Sequence, residues 1–203
     1  MLRLPPFGRG QRIGLFGGSF NPAHRGHLMV ALYAMKRLKL DWVWWMVSPQ
    51  NPLKDKSETG EYAERLAYAR RIARHPRFVV TDLEQQLQST YTAETLEKLK
   101  GTLKQGKFIW IMGADSLANL HKWHQWTDIA ASLPRAVLAR PGYSIRALQG
   151  PAALRFGRWR VGSDNAASTL GRGAPHWVFV SMPLRKESST AIRKRRKPNS
   201  RNA

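Results

Sequence analysis

The chain of 203 residues contains no cysteine. That excludes structural disulfides, thiolate zinc sites and cysteine nucleophiles. Acids are scarce too: 13 Asp and Glu stand against 34 Lys and Arg, for a formal charge of +21. No apolar run approaches the roughly 20 residues of a membrane span. Residues 1–11, with Pro5, Pro6, Gly8 and Gly10, lack the apolar stretch of a secretory signal. A cytoplasmic protein with no membrane partner is expected, and no internal repeat is visible.

Hydrophobic residues make up 42% of the chain, enough to build one core. The basic excess favours polyanions as partners, but it is unevenly placed. Residues 185–201 carry eight basic side chains against the single acid Glu187. A run of that kind at a terminus reads as a solvated tail, with RNA association as the rival reading. The expected organisation is a flexible segment over 1–11, one domain over 12–193 and a basic tail over 194–203.

Short β-rich apolar runs over 12–16, 42–47, 78–80, 108–112, 136–139 and 177–180 alternate with stretches of helical period. Leu28, Ala31, Leu32, Met35 and Leu38 form one stripe, and Tyr62, Leu66, Ala69 and Ala73 another. Thr92 and Ser189 are candidate N-caps of later helices. The spacing predicts an α/β fold with a Rossmann-like, doubly wound, mostly parallel sheet in a single domain. Ligands of such sheets bind beyond the carboxyl ends of the strands, at a topological switch point. Residues 50–60 and 146–173 read as loops, the first a candidate for moving over the site. Trp42, Trp44 and Trp45 read as packing residues.

The first strand runs into Gly17-Gly18-Ser19-Phe20-Asn21-Pro22-Ala23-His24-Arg25-Gly26-His27, and a helix follows. Glycines there let backbone N–H groups approach an anion, and the helix N-terminus adds a favourable dipole. His24 and His27 sit where a phosphate would lie, and two imidazoles can donate to phosphoryl oxygens as charge moves onto a leaving group. The pair also fits zinc ligation or turn capping. Zinc lacks an evident third ligand nearby.

Gly18 to His27 resembles the Gly-x-Phe-x-Pro-x-His-x-Gly-His signature of the nucleotidylyltransferase superfamily. Within it, the chain is similar to the bacterial nicotinate-nucleotide adenylyltransferases along most of its length. Tyr91-Thr92-Ala93-Glu94-Thr95-Leu96 is similar to their Tyr-Thr-x-x-Thr-Leu element. Gly113-Ala114-Asp115 and His121-Lys122-Trp123 resemble Gly-x-Asp and His-x-Trp. Arg140-Pro141-Gly142-Tyr143 also fits, and Ser188-Ser189-Thr190-Ala191-Ile192-Arg193 resembles the C-terminal Ser-Ser-Thr-x-Ile-Arg. Two departures stand out. Glu187 replaces a hydrophobic residue before Ser-Ser-Thr, and Pro52-Leu53-Lys54 stands where Pro-His-Lys is usual.

The resemblance implies transfer of AMP from ATP to nicotinate mononucleotide, giving deamido-NAD and pyrophosphate, with Mg²⁺ entering on the triphosphate. It assigns His24, His27 and Arg193 to catalysis. ATP would meet Gly17, Gly18, Ser19, Phe20, Gly26, Lys54, Gly113, Asp115, Ser189 and Thr190. The mononucleotide would meet Tyr91, Thr92, Ala93, Trp123 and Arg140. No metal ligand is assigned. The rivals are another adenylyl- or cytidylyltransferase of the superfamily, or a basic RNA-binding protein. The second leaves the histidines without a role, so nucleic acid is not an expected partner, and a homo-oligomer is left open.

Overall fold

The apolar runs form the sheet of a computed structural model that describes residues 2–49, 59–183 and 187–196. Its seven strands are β1 (Arg12–Gly18), β2 (Trp42–Val47), β3 (Phe78–Thr81), β4 (Lys107–Gly113), β5 (Arg135–Leu138), β6 (Arg160–Val161) and β7 (Trp177–Val180). They lie in the order β3-β2-β1-β4-β5-β7-β6, and every pairing is parallel. Leu15 sits opposite Trp44 on one side and Trp110 on the other.

Both faces are covered, which is why the strands read as near-continuous apolar runs. Leu15, Trp44, Met46, Phe108, Trp110 and Met112 point into one core cluster. Phe16, Val43, Trp45, Ile109 and Ile111 point into the other. Trp44 and Trp45 are therefore packing residues, as expected.

Helix α1 (Arg25–Leu38) buries Val30, Ala31, Ala34, Met35 and Leu38. The buried face is turned slightly from the predicted stripe, because Leu28 and Leu32 lie only at its margin. In α2 (Tyr62–Ile72) the buried residues are Ala69 and, unexpectedly, Arg65. Short α3 (Leu83–Gln86) precedes α4 (Thr92–Leu103), and α5 (Ala114–Asn119) and α6 (Trp126–Ser132) lie between β4 and β5. The N-cap of α4 is Tyr91, one residue before the predicted Thr92.

The reading of 146–173 as a loop is corrected. It holds most of α7 (Ser144–Leu148), then α8 (Pro151–Arg155), strand β6, two 3-10 turns and α9 (Thr169–Arg172). Elements this short never complete the periods by which they would be recognised. Residues 2–11 lie against the core, with Phe7 edge-on to Trp44 and Phe108 at centroid distances of 5.6 and 5.4 Å. Among the described residues no helix is long and apolar enough to cross a membrane.

β1 leads to β2 and β3 on one side, whereas β4 starts the other side, next to β1. The switch point therefore lies at the carboxyl ends of β1 and β4, where Gly17, Gly18 and Gly113 stand.

Candidate active site

At the end of β1 the chain has room only for glycine. A Cβ at Gly17 would come within 2.6 Å of the Trp110 ring. Phe20 then takes a left-handed backbone conformation, φ 42°, which costs a side-chain-bearing residue about 1–2 kcal/mol. Burial offsets that cost. Phe20 is 2% exposed, stacks on Trp45 at 5.0 Å and meets Phe16 edge-on.

His24 caps α1 with extended backbone, and its Nδ1 accepts from the Gly26 N–H at 3.1 Å. His27 Nδ1 accepts from the His24 N–H at 3.2 Å. The rings lie 3.9 Å apart, and the Phe20 ring meets His27 edge-on at 5.1 Å. Gly26 is required here too, since a Cβ would sit 2.9 Å from the His24 ring. Capping and a phosphate-binding role are thus not alternatives. With both Nδ1 atoms accepting backbone hydrogen bonds, each neutral imidazole carries its proton on Nε2.

His24 Nε2 is buried with no hydrogen-bond partner among the described residues. Its pKa is lowered to about 4, first by burial and then by the Arg140 guanidinium. The ring is a neutral donor at physiological pH, aimed by the backbone and held ready for an acceptor.

Beyond β4, Gly113 leads into α5 (Ala114–Asn119). Asp115 Oδ1 lies 3.7 Å from Arg140 Nε, just past β5. A side chain at Gly113 would collide with Asp115 Oδ1 and press on Arg140. Tyr91, at the mouth of α4, packs its ring on His124 at 4.6 Å. Trp123 is partly buried against the first core cluster, which places the Tyr-Thr and His-x-Trp elements side by side. Ala93 is buried and Thr92 half-buried in the first turn of α4.

The last helix, α10 (Ser189–Arg196), closes on the glycine loop across the length of the chain. Arg193 Nη1 donates to Asn21 O at 2.8 Å, and Ser189 Oγ donates to Pro22 O at 3.0 Å. The cap itself is Ser188, whose Oγ accepts from the Ala191 N–H, rather than the predicted Ser189. Ser189 is freed by that shift to hold the loop, while Thr190 is exposed. Lys54 and the tail from Lys197 onward lie outside the described residues.

The cytidylyltransferase-like family model matches residues 15–195. A protein of Caulobacter sp. (strain K31) named probable nicotinate-nucleotide adenylyltransferase is 52% identical over 184 residues, 91% of this chain and 97% of that one. One of the same name from Rhizobium johnstonii is 49% identical over 190 residues, 94% and 96% of the two chains. The chain belongs to the cytidylyltransferase-like family, among its nicotinate-nucleotide adenylyltransferases. The fold of this adenylyltransferase is shared by nicotinic acid mononucleotide adenylyltransferase of Plasmodium falciparum complexed with NaAD. There the TM-score is 0.67 at 17% identity, covering 91% of this chain and 83% of that one.

Three residues of the adenylyltransferase site region escaped the sequence. Arg65, 4% exposed, donates to the carbonyls of Ser19, Ser48, Pro49 and Gly60 at 2.6–2.8 Å. Ser48, just after β2, donates through Oγ to buried Glu84 at 2.5 Å. The one available signal for Arg65 was its position on the Tyr62–Ala69 face of α2. Ser48 and Glu84 gave none.

Proposed function

We propose that the chain transfers the adenylyl group of ATP to nicotinate mononucleotide, releasing pyrophosphate and forming deamido-NAD. The observation that carries this reading is the pair of imidazoles fixed by backbone hydrogen bonds at the end of β1, with a buried Nε2 on His24 lacking a protein partner among the described residues. A phosphoryl oxygen satisfies such a donor.

The 5′-phosphate oxygen of the mononucleotide attacks the α-phosphorus of ATP. A P–O bond forms as the bond from the α-phosphorus to the bridging oxygen breaks, and both electrons of the broken bond leave with pyrophosphate. The nucleophile is already an anion, so no protein base is needed. Catalysis is alignment plus stabilisation of the charge that builds on the leaving oxygens. His24 and His27 donate to those oxygens. Backbone groups of Gly17, Gly18, Ser19, Phe20 and Gly26 line the triphosphate; Arg193, Thr190 and Lys54 hold its far end, and Ser189 keeps the loop beneath it in place through Pro22 O. Asp115 beyond Gly113 accepts from ribose hydroxyls.

Among the described residues no group of three or more His, Asp or Glu side chains is placed to hold a metal. Mg²⁺ would come with ATP as part of the substrate, where it would offset triphosphate charge. Tyr91, Thr92 and Ala93 at the mouth of α4 meet the nicotinate carboxylate, with Trp123 on the ring and Arg140 facing the phosphate. A cytoplasmic setting belongs to the same proposal.

The test is pyrophosphate release from ATP with nicotinate mononucleotide and with its amide in turn. The acid is expected to be preferred, because the amide turns an N–H₂ group toward a donor and leaves it unpaired, a cost of roughly 1–3 kcal/mol. Equal kcat/KM for the two overturns the assignment of the α4 mouth. No release with either overturns the function.

A further inference from the structure

Glu84 is 4% exposed and has no role in the chemistry above. It stands at the middle of a hydrogen-bonded path joining the two substrate loops. On the triphosphate side, the Ser48 N–H donates to Gly18 O at 3.0 Å, and Ser48 Oγ donates to Glu84 Oε2 at 2.5 Å. On the mononucleotide side, the Ser89 N–H donates to Glu84 O at 3.0 Å. Ser89 Oγ lies 2.8 Å from Thr95 Oγ1, which donates to Tyr91 O at 3.2 Å. Ser89 and Thr95 are 3% and 0% exposed, so these bonds are shielded from bulk solvent.

The geometry has a purpose that packing alone would not require. The glycine loop follows β1 and the Tyr91 turn precedes α4, with no strand pairing between those two segments. In-line attack needs reacting atoms placed to a fraction of an ångström, and misplacement by about 1 Å can cost around 10²-fold. Buried Glu84 accepts from one loop's neighbour through its side-chain carboxyl and from the other's through its backbone carbonyl, and so fixes their separation.

We propose that Glu84, acting through Ser48, is a positioning residue that sets the glycine loop and the Tyr91 turn at the separation the two substrates require. This rests on the adenylyl-transfer reading. The decisive variants are mild. Ser48→Ala removes only the hydroxyl, Ser48→Thr keeps it, and Glu84→Gln keeps an acceptor of the same size. Glu84→Met removes the acceptor.

Steady-state kinetics and melting temperature are measured on the full chain. Ser48→Ala and Glu84→Met are expected to raise KM for both ATP and nicotinate mononucleotide and to lower kcat/KM about tenfold. Ser48→Thr and Glu84→Gln should stay within about threefold of wild type. A loss of folded protein would lower kcat and leave both KM values in place, and that result overturns the proposal. So does an unchanged Ser48→Ala. If the wild type itself releases no pyrophosphate with the mononucleotide, the functional reading fails instead. Calorimetric titration with ATP alone then decides: affinity about tenfold weaker in Ser48→Ala and restored in Ser48→Thr supports positioning, and equal affinities refute it.

Discussion

Arg65 offers a sharp test of how the site is held, because two effects of replacing it oppose each other. Its guanidinium makes four hydrogen bonds to carbonyls of Ser19, Ser48, Pro49 and Gly60. Burial disfavours its charge and lowers its pKa, so Arg65→Met relieves a desolvation cost while roughly keeping volume. Against that, it strands the carbonyls. Gly60 is exposed and its carbonyl turns to water, whereas Ser19, Ser48 and Pro49 are half-buried. Counting about 1 kcal/mol for each of the three gives a loss of about 3 kcal/mol. The charge-assisted bonds gross more than that, and the relieved desolvation takes up the difference. For a domain of this size about 3 kcal/mol lowers Tm by roughly 6–12 °C. Thermal unfolding followed by circular dichroism measures it directly. Arg65→Lys should fall between, since an ammonium lacks the planar fork. A Met variant melting within about 2 °C of wild type would show that the carbonyls find other partners and that Arg65 is not the clamp.

Other expectations are narrower. His27→Ala should lower kcat by about 10²–10³ with an unchanged fold, the usual cost of one donor to a developing charge; near-normal turnover removes His27 from the chemistry. Glu84 is raised by burial to about 7, against the Ser48 hydrogen bond, so the native state favours its protonated form. That contribution is full below about pH 4.5 and lost as pH rises to about 7. Urea unfolding should therefore show Glu84→Gln gaining about 2–3 kcal/mol on wild type between pH 5 and pH 8. His24 has the opposite slope, so the comparison is between variants, and a pH-independent difference refutes it. Arg193→Ala should raise KM for ATP markedly, while removal of 197–203 should leave it near wild type, those charges being screened within about 8–10 Å; the reverse ordering misplaces the boundary between site and tail.

The strands were legible because both faces of the sheet are buried, leaving Val43 to Val47 and Phe108 to Met112 without polar interruption. The β1–α1 loop was legible because its glycines and histidines are contiguous and each answers a local demand. The expected caps, Thr92 and Ser189, each lie one residue late: Tyr91 caps α4 with no side-chain hydrogen bond, so its residue type gives no signal, and in the Ser188-Ser189 pair the hydroxyl that meets a backbone N–H is that of Ser188. Arg65 offered no more than its place on the Tyr62–Ala69 face of α2, since nothing in its neighbourhood announces that four carbonyls from three other segments converge on it. The Ser48–Glu84 pair spans thirty-six positions, and no local pattern encodes a contact at that range.

The distribution of charge in the site separates two tasks that one residue type could have shared. His24 titrates near 4 because burial and Arg140 both work against its cation, so at neutral pH it contributes direction without net charge. On the proposed reading the positive field comes from Arg140 and Arg193, one beyond β5 and paired with Asp115, the other reaching the loop from α10. A charged imidazole at the end of β1 would bind the ground-state triphosphate as strongly as the transition state, and uniform binding of that kind does not raise kcat. A neutral Nε2–H at a fixed position gains most where charge accumulates during bond breaking. The rigid backbone cap is what makes that gain available, and it explains why both histidines spend Nδ1 on main-chain N–H groups. The aim of the donors is built into the helix terminus itself.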